Sequence, residues 1–326
     1  SKKNFRMVSK NNFFKRTSVN YKFLQMNKPL VSIIMNCYNG ERYLHEALES
    51  IINQTYKNWE LIFWDNLSTD NSKKIFQNFK DERFKYFLAK EHTVLYEARN
   101  LALKEVNGEF IAFLDTDDIW LKNKLSEQIK LFANKNVGLV YGNYWRYNSK
   151  NLFKKRKLAR KLKLPSGKIT AILLETYFIG MLTVVLRKEC LNIQTNVFSV
   201  KFDMLSDMDF ILRFSKNYEF DCIQNPVAIS RQHQNQLQNK NLKKQATQMN
   251  EWYENIKLSR EFGEEKKLIN IKNRCNFFKI LSLINEQEYL KSLKEIILHP
   301  NYIEKIKLFL ILVFPKAIFN RILNLR

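Results

Sequence analysis

The sequence predicts an α/β protein, a mostly parallel sheet flanked by helices and followed by a helical C-terminal region. Short apolar, β-branched runs alternate with stretches whose apolar residues recur every three or four positions, as strands and crossover helices of a parallel sheet do. Polar and acidic residues fall at the C-terminal ends of those runs, where open α/β sheets bind ligands. The 326 residues are 45% hydrophobic and 13% aromatic, too apolar for a disordered chain and enough for one large domain or two modest ones.

The first strand is predicted over residues 30–35 (LVSIIM), apolar throughout as a strand covered on both faces must be. A helix follows over 41–53, with Leu44, Ala47, Leu48, Ile51 and Ile52 on one stripe. Strand two, WELIFW at 59–64, ends at Asp65, and Ser68 to Asn71 supply capping residues for a helix over 72–79. A strand at 84–88 and a helix at 95–106 come next, the latter stopped by Asn107-Gly108. The strand FIAFL at 110–114 runs directly into Asp115-Thr116-Asp117-Asp118. Residues 137–144 and 182–186 read as further strands, 203–216 as a helix, and long Lys/Glu/Leu/Ile patterns from about 240 as helices. No internal repeat is visible.

The four cysteines, Cys37, Cys190, Cys222 and Cys275, form no CxxC pair, which argues against a disulfide framework or a thiolate zinc site and for a reducing compartment. The formal net charge is +23, from 55 basic and 32 acidic residues. It is concentrated: eight Lys/Arg and no acid in residues 1–28, nine and no acid in 147–168, five against Glu304 in 301–326. The remaining body is nearly neutral, so the charge suits an anionic lipid surface at least as well as a nucleic acid groove. Taken alone, each run also reads as a solvated face. The run KKRKLARKLK at 154–163 comes with no zinc-finger spacing or RRM signature, and as a helix it would set Leu158 and Leu162 among basic flanks on a membrane surface. The N-terminus has no apolar core of an export signal. The apolar stretch 308–314 stops at Pro315, short of the ~20 residues a spanning helix needs. It reads equally as an interfacial segment or as a core helix.

Asp115, Asp117 and Asp118 follow a buried strand, where mutual repulsion and desolvation penalise free carboxylates. A hard divalent cation, Mg2+ or Mn2+, held by one or two carboxylates and the phosphates of a nucleotide, would relieve that cost. The alternative is a solvated loop with Asp118 as a helix cap.

From Pro29 to about Leu121 the sequence resembles an inverting family 2 glycosyltransferase of the GT-A fold, on VSIIMNCYNGERYLHEALESIINQTYKNWELIFWDNLSTDNS and EARNLALKEVNGEFIAFLDTDD. The resemblance implies that Tyr38, Asn39 and Glu41 flank the donor nucleotide, that Asp65 recognises uracil, and that Arg99 lies near the nucleotide. It implies that Asp115 and Asp117 form the family's DxD motif, with Asp117 as the metal ligand. LSDMDFILRF is similar to the segment Glu-Asp-x-Asp that bears the family's catalytic base; Ser206 replaces the Glu, Asp207 takes the base position and Asp209 is the second choice. ISRQHQNQ is similar to the family's Arg-x-His segment, which makes Arg231 a phosphate contact and His233 a metal or diphosphate contact. The chain departs from the family at Asn36-Cys37, where Pro-Thr is frequent, at Asn66-Leu67, where Asp-Gly is usual, and at Leu95, near a frequent Gly.

The resemblance thus implies an enzyme that moves a sugar from a UDP-sugar to a hydroxyl of a glycan or lipid-linked acceptor, of the bacterial surface-polysaccharide type. The expected organisation is a basic extension at 1–28, the transferase domain at 29–239 and a helical region at 240–326. The basic segments predict a cytoplasmic enzyme peripheral to the anionic inner face of the membrane, with no specific nucleic acid partner. The competing classes are a nucleic-acid or membrane binder recognised by charge alone, and a sugar nucleotidyltransferase, which would need a Gly-rich phosphate loop where this chain has only Asn39-Gly40-Glu41.

Overall fold

The computed structural model describes residues 28–148, 156–233 and 241–313. They form two compact units. The first takes the chain up to Ile169 together with Phe178–Phe198 and Arg213–Arg231; the second takes Thr170–Tyr177, Ser199–Leu212 and the residues from Gln232 onward.

The first unit is built on a nine-stranded mixed sheet: β1 (Val31–Cys37), β2 (Trp59–Asp65), β3 (Phe84–Leu88), β4 (Phe110–Phe113), β5 (Ile119–Trp120), β6 (Val137–Asn148), β7 (Arg156–Leu158), β8 (Val185–Arg187) and β9 (Glu219–Gln232). Their order is β3-β2-β1-β4-β8-β6-β9-β5, with β7 alongside β6. Strands β3, β2, β1 and β4 are parallel, as the βα alternation predicts, and are linked by α1 (Glu41–Ile52), α2 (Ser72–Asn78) and α3 (Leu95–Leu103). The pairs β4/β8, β6/β8, β6/β7 and β5/β9 are antiparallel. A further helix, α4 (Lys124–Leu131), lies between β5 and β6 in the chain.

Strands β1, β2 and β4 are buried almost throughout, and α1 turns Leu44, Ala47, Leu48 and Ile51 into the same core. Register positions the site. Cys37 pairs with Asp65 and Ile34 with Phe113, so the first residues beyond β1, β2 and β4 emerge along one edge. The other end of β1 is closed by Gly108, where a Cβ would lie 2.6 Å from both Leu30 O and Ser32 N. The Asn107-Gly108 stop is therefore a requirement of packing as well as of helix termination.

Two sequence expectations change here. The segment 182–186 is not all strand: Met181–Thr183 form a 3-10 turn, closed by Thr183 N and Oγ1 donating to Gly180 O, and the strand begins at Val185. In the basic run, Arg156–Leu158 is a strand rather than a helix, because its backbone pairs with Trp145 to Tyr147 of β6. The rest of that run's start, residues 149–155, and residues 1–27 of the basic extension lie outside the described residues.

The second unit is helical: α5 (Thr170–Glu175), the first turns of α6 (Ser206–Asn217), α7 (Leu242–Ser259), α8 (Ile269–Asn285), α9 (Tyr289–Leu298) and α10 (Tyr302–Val313). Trp252, Met249, Cys275, Phe278 and Leu281 fill its core. Leu308 and Ile311 of α10 are buried, while Phe309, Leu310 and Val313 are exposed. Among the described residues no helix is long and apolar enough to cross a membrane. All four cysteines are free.

Candidate active site

In the first unit the loops after β1 and β2 brace one another. Asn39, at φ +53, accepts from Thr69 N (2.8 Å) through Oδ1, and its own N–H donates to Ser68 Oγ (3.1 Å). The next two N–H groups, at the start of α1, donate to Ser72 Oγ (3.0 Å) and Asp70 Oδ2 (2.9 Å), and Glu41 Oε2 accepts from the backbone and side chain of Asn71. These bonds satisfy the donors a helix start leaves open. Burial alone would raise the Asp70 carboxyl, but hydrogen bonds from Ser72 and from the Glu41 backbone hold it below the usual range. Asn39 and Glu41 therefore shape the loop, while Tyr38 is 53% exposed and packs on His92 with ring centroids 4.2 Å apart.

Asp65 is buried at the end of β2, with Ser68 N donating to Oδ1 (2.8 Å) and Tyr86 Oη to Oδ2 (2.6 Å). Each oxygen keeps a second acceptor position. The Asn66 amide clamps the segment before α3, bonding Thr93 O (2.7 Å) and Thr93 N (3.2 Å). Leu67 takes φ +64, a left-handed conformation that glycine adopts freely and leucine does not. The leucine that stands where the family usually has glycine thus holds this backbone at a cost in strain. Among the described residues neither the buried side-chain amide of Asn36, at the end of β1, nor Trp64 Nε1, directly opposite it in the β1/β2 register, has a hydrogen-bond partner.

The Asp115–Asp118 loop is held from both sides. Arg99, buried against the rings of Tyr96, Phe113 and Phe198, donates to Asp115 Oδ1 at 2.5 Å. Arg231, also buried, donates through its backbone N to Asp118 Oδ1 (3.0 Å), through Nε to the Asp117 carbonyl (3.1 Å) and through Nη2 to Glu46 Oε2 (2.9 Å), and it lies over the Tyr43 ring. Gly40 permits the close approach of the first loop, since a Cβ there would come within 2.9 Å of Thr116 Oγ1. Burial, then the charges of Asp117 and Asp115, push the Asp118 carboxyl well up. Arg99 and Arg231 emerge as residues that fix carboxylates, and the brace supplied by Glu46 and Tyr43 has no signal in the sequence beyond helix periodicity.

This donor set fits a hard divalent cation. It is all oxygen, and burial with the neighbouring charges of Asp117 and Asp115 raises the Asp118 carboxyl, a repulsion that a cation would relieve. Among the described residues no three His, Cys, Asp or Glu side chains form a complete cage; Mg2+ and similar ions use one or two carboxylates and complete their shell with water and phosphate.

The remaining predicted residues, Asp207, Asp209 and His233, belong to the second unit. Asp209 is buried and accepts from Trp252 Nε1 (2.9 Å), which ties α6 to α7. Asp207 is partly exposed, and its Oδ1 accepts from the Met208 N–H (2.7 Å). Burial pushes the Arg274 guanidinium down while the negative charge of Asp207, among others, pulls it back up. Arg274 lies in the region where the family resemblance is silent. Ser206, in the place of the family's Glu, is fully buried, and its hydroxyl has no partner among the described residues.

The sequence model of glycosyl transferase family 2 matches residues 32–191. The chain carries a family 2 glycosyltransferase domain. Over 167 residues it is 40% identical to the Escherichia coli UDP-Glc:alpha-D-GlcNAc-diphosphoundecaprenol beta-1,3-glucosyltransferase WfgD, covering 51% of this chain and 64% of that one. Over 116 residues it is 40% identical to the E. coli enzyme of the same description, WfaP, covering 36% and 46%. The chain thus spans less than two thirds of each relative. Among solved structures, Staphylococcus aureus TarS 1-349 in complex with UDP superposes with a TM-score of 0.58 at 18% identity, over 75% of this chain and 71% of that one. The mannosyltransferase PcManGT of Pyrobaculum calidifontis, with GDP-Man and Mn2+, gives 0.57 at 14% identity, over 91% and 87%. These likenesses establish the glycosyltransferase's GT-A fold, a mixed sheet with flanking helices.

Proposed function

We propose that this glycosyltransferase is a metal-dependent, inverting enzyme that transfers a hexose from a UDP-sugar to a hydroxyl of a lipid-linked glycan acceptor in bacterial surface-polysaccharide assembly. The observation that carries the reading is the Asp115–Asp118 loop at the end of β4, with Asp115 fixed by buried Arg99. The activity that names WfgD, glucose transfer from UDP-Glc onto a GlcNAc-diphosphoundecaprenol, supports the donor and acceptor classes. The transferase domain is read as 29–239, the helical region as 240–326, and the working location as the cytoplasmic face of an anionic membrane.

In this reading Asp65, with its free acceptor positions, takes the uracil N–H, and Tyr38, Asn39 and Glu41 line the nucleotide side. Asp117, assisted by Asp115 and with His233 as a further ligand, holds Mn2+ or Mg2+, which when bound offsets the charge of the departing diphosphate. Arg231 keeps the loop in place. Asp207 accepts the proton of the acceptor hydroxyl as its oxygen bonds to the anomeric carbon; the bond from that carbon to the diphosphate oxygen breaks on the opposite face, and UDP leaves. Asp209, engaged by Trp252, is the less suitable base.

The test is thermal stabilisation by UDP, GDP and CDP, each with and without Mn2+, on the wild type and on Asp117→Ala. At about a hundred times its dissociation constant, a ligand that binds only the native state adds about 2.7 kcal/mol. A UDP shift that needs Mn2+ and disappears in the variant is expected. No shift with any nucleotide refutes the donor assignment.

A further inference from the structure

The last two described helices present their apolar side to solvent. In α9 the buried side chains are Ser292 and Ile296, whereas Leu290 is 81% exposed and Leu298 77%. In α10 Leu308 and Ile311 point inward, while Tyr302, Ile303, Ile306, Phe309 and Val313 are exposed at three- and four-residue spacing. A helix whose outer side meets water carries the reverse pattern. The two helices are joined by Lys305 Nζ donating to Ile297 O (2.7 Å). Between them opens an apolar cleft of about 400 Å3 lined by Leu293, Ile296, Ile297, Ile306, Phe309 and Leu310.

Charge on the pair decides what covers it. Glu288 is paired with Lys291, Glu295 with Lys279, and Glu304 lies 3.5 Å from His299, whereas the exposed Lys294 and Lys307 have no carboxylate partner among the described residues. The sequence beyond, residues 314–326, adds Lys316, Arg321 and Arg326 and no acid. A second copy seated on this surface by a two-fold axis would bring lysines against lysines. An anionic bilayer offers acyl chains to the apolar residues and phosphates to the lysines.

We propose that the α9–α10 pair is a membrane-docking surface that lies in the interface of an anionic bilayer. Leu290, Leu298, Ile303 and their neighbours enter the acyl boundary, and Lys294 and Lys307 meet the head groups. The inference deepens the reading of a lipid-linked acceptor and rests on it only for that acceptor; the surface itself is tested without nucleotide or acceptor, so the two fail separately.

The experiment is co-flotation of the full chain with vesicles of phosphatidylcholine, with and without phosphatidylglycerol. Two variants are compared: Leu290→Gln/Leu298→Gln/Ile303→Gln, and Lys294→Glu/Lys307→Glu. All five side chains are exposed, so melting temperatures are expected to stay at the wild-type value, and the lysine pair keeps the test decisive where the apolar triple fails to fold. The wild type is expected to float with the anionic vesicles and each variant to bind them about tenfold less or weaker. Wild-type binding to neither vesicle, or undiminished binding by the variants, overturns the proposal. So does a lipid-independent dimer that the apolar triple dissolves, which assigns the surface to a second copy. Loss of binding on removal of 314–326 alone, with the triple still bound, assigns it to that tail.

Discussion

The two groups of acidic residues in this chain are arranged in opposite ways. Asp115, Asp117 and Asp118 sit within four residues beyond a buried strand, close enough that the first two push the carboxyl of the third upward, and two buried arginines hold the loop. Asp207 and Asp209 are also two residues apart, but a helix turns them to different sides, one to Trp252 and one into partial exposure. The same spacing yields a cooperating cluster in a loop and a division of labour on a helix. A carboxylate is therefore assigned by what holds it, and the sequence interval alone does not do that.

The largest effect expected from breaking the contrast is at the loop. Asp117→Ala should lower sugar transfer on the order of a thousandfold, with the fold retained, as initial rates and melting curves on the same sample will report. On α6 the effects should separate. Asp207→Asn should reduce kcat by about a hundredfold or more with an unchanged melting temperature. Asp209→Ala should leave the Trp252 N–H buried and unpaired, at about 1–3 kcal/mol of stability, with the activity per folded molecule preserved. Equal losses of kcat in both would show that α6 does not divide the roles.

Glu60 is a paired carboxylate outside both groups. Burial pushes it up, but Lys85 (2.6 Å), Ser32 and the backbone and side chain of Asn107 outweigh that and hold it below the usual range. A lowered carboxyl adds stability above its unfolded value, about pH 4.3, and loses it as pH falls through its folded value. Glu60→Gln should therefore cost about 1–2 kcal/mol at neutral pH, with the difference from wild type shrinking in acid, as denaturation at several pH values will show. The smallest change is Leu67→Gly, which should raise stability by up to about 1 kcal/mol by relieving the left-handed leucine. A loss instead would mean that the Leu67 side chain packs for more than its backbone strain.

The parallel half of the sheet was legible because β1, β2 and β4 are short, buried almost throughout and mostly apolar, with polar residues at or just beyond their ends. β9 was not. Pro226 lies within it, its polar residues interrupt the alternation, and its pairing with β5 is fixed by tertiary contact. α4 also escaped notice, because its inward side carries Lys124 and Gln128, bonded to each other at 2.7 Å, where an apolar stripe would be sought. For the site, residue types at the strand ends marked the acidic loop. The resemblance implied Arg99 and Arg231 near the nucleotide; that their guanidinium groups also bond Asp115, the Asp117 carbonyl and Glu46 depends on contacts distant in the chain. Arg274 was invisible, since the charges of Tyr177 and Asp207 that act on it come from elements far apart in the chain.

Docked as proposed above, the outward apolar side of α9 and α10 would change the dimensionality of the acceptor search. A protein free in solution finds its partner in a volume, at a rate set by bulk concentration. One resting on a bilayer through Leu290, Leu298 and Ile303 meets a lipid-borne partner by lateral diffusion in a plane. For such an enzyme the half-saturating acceptor level is a mole fraction of the membrane lipid, and diluting the vesicles with inert lipid slows turnover even when the total acceptor in the tube is unchanged.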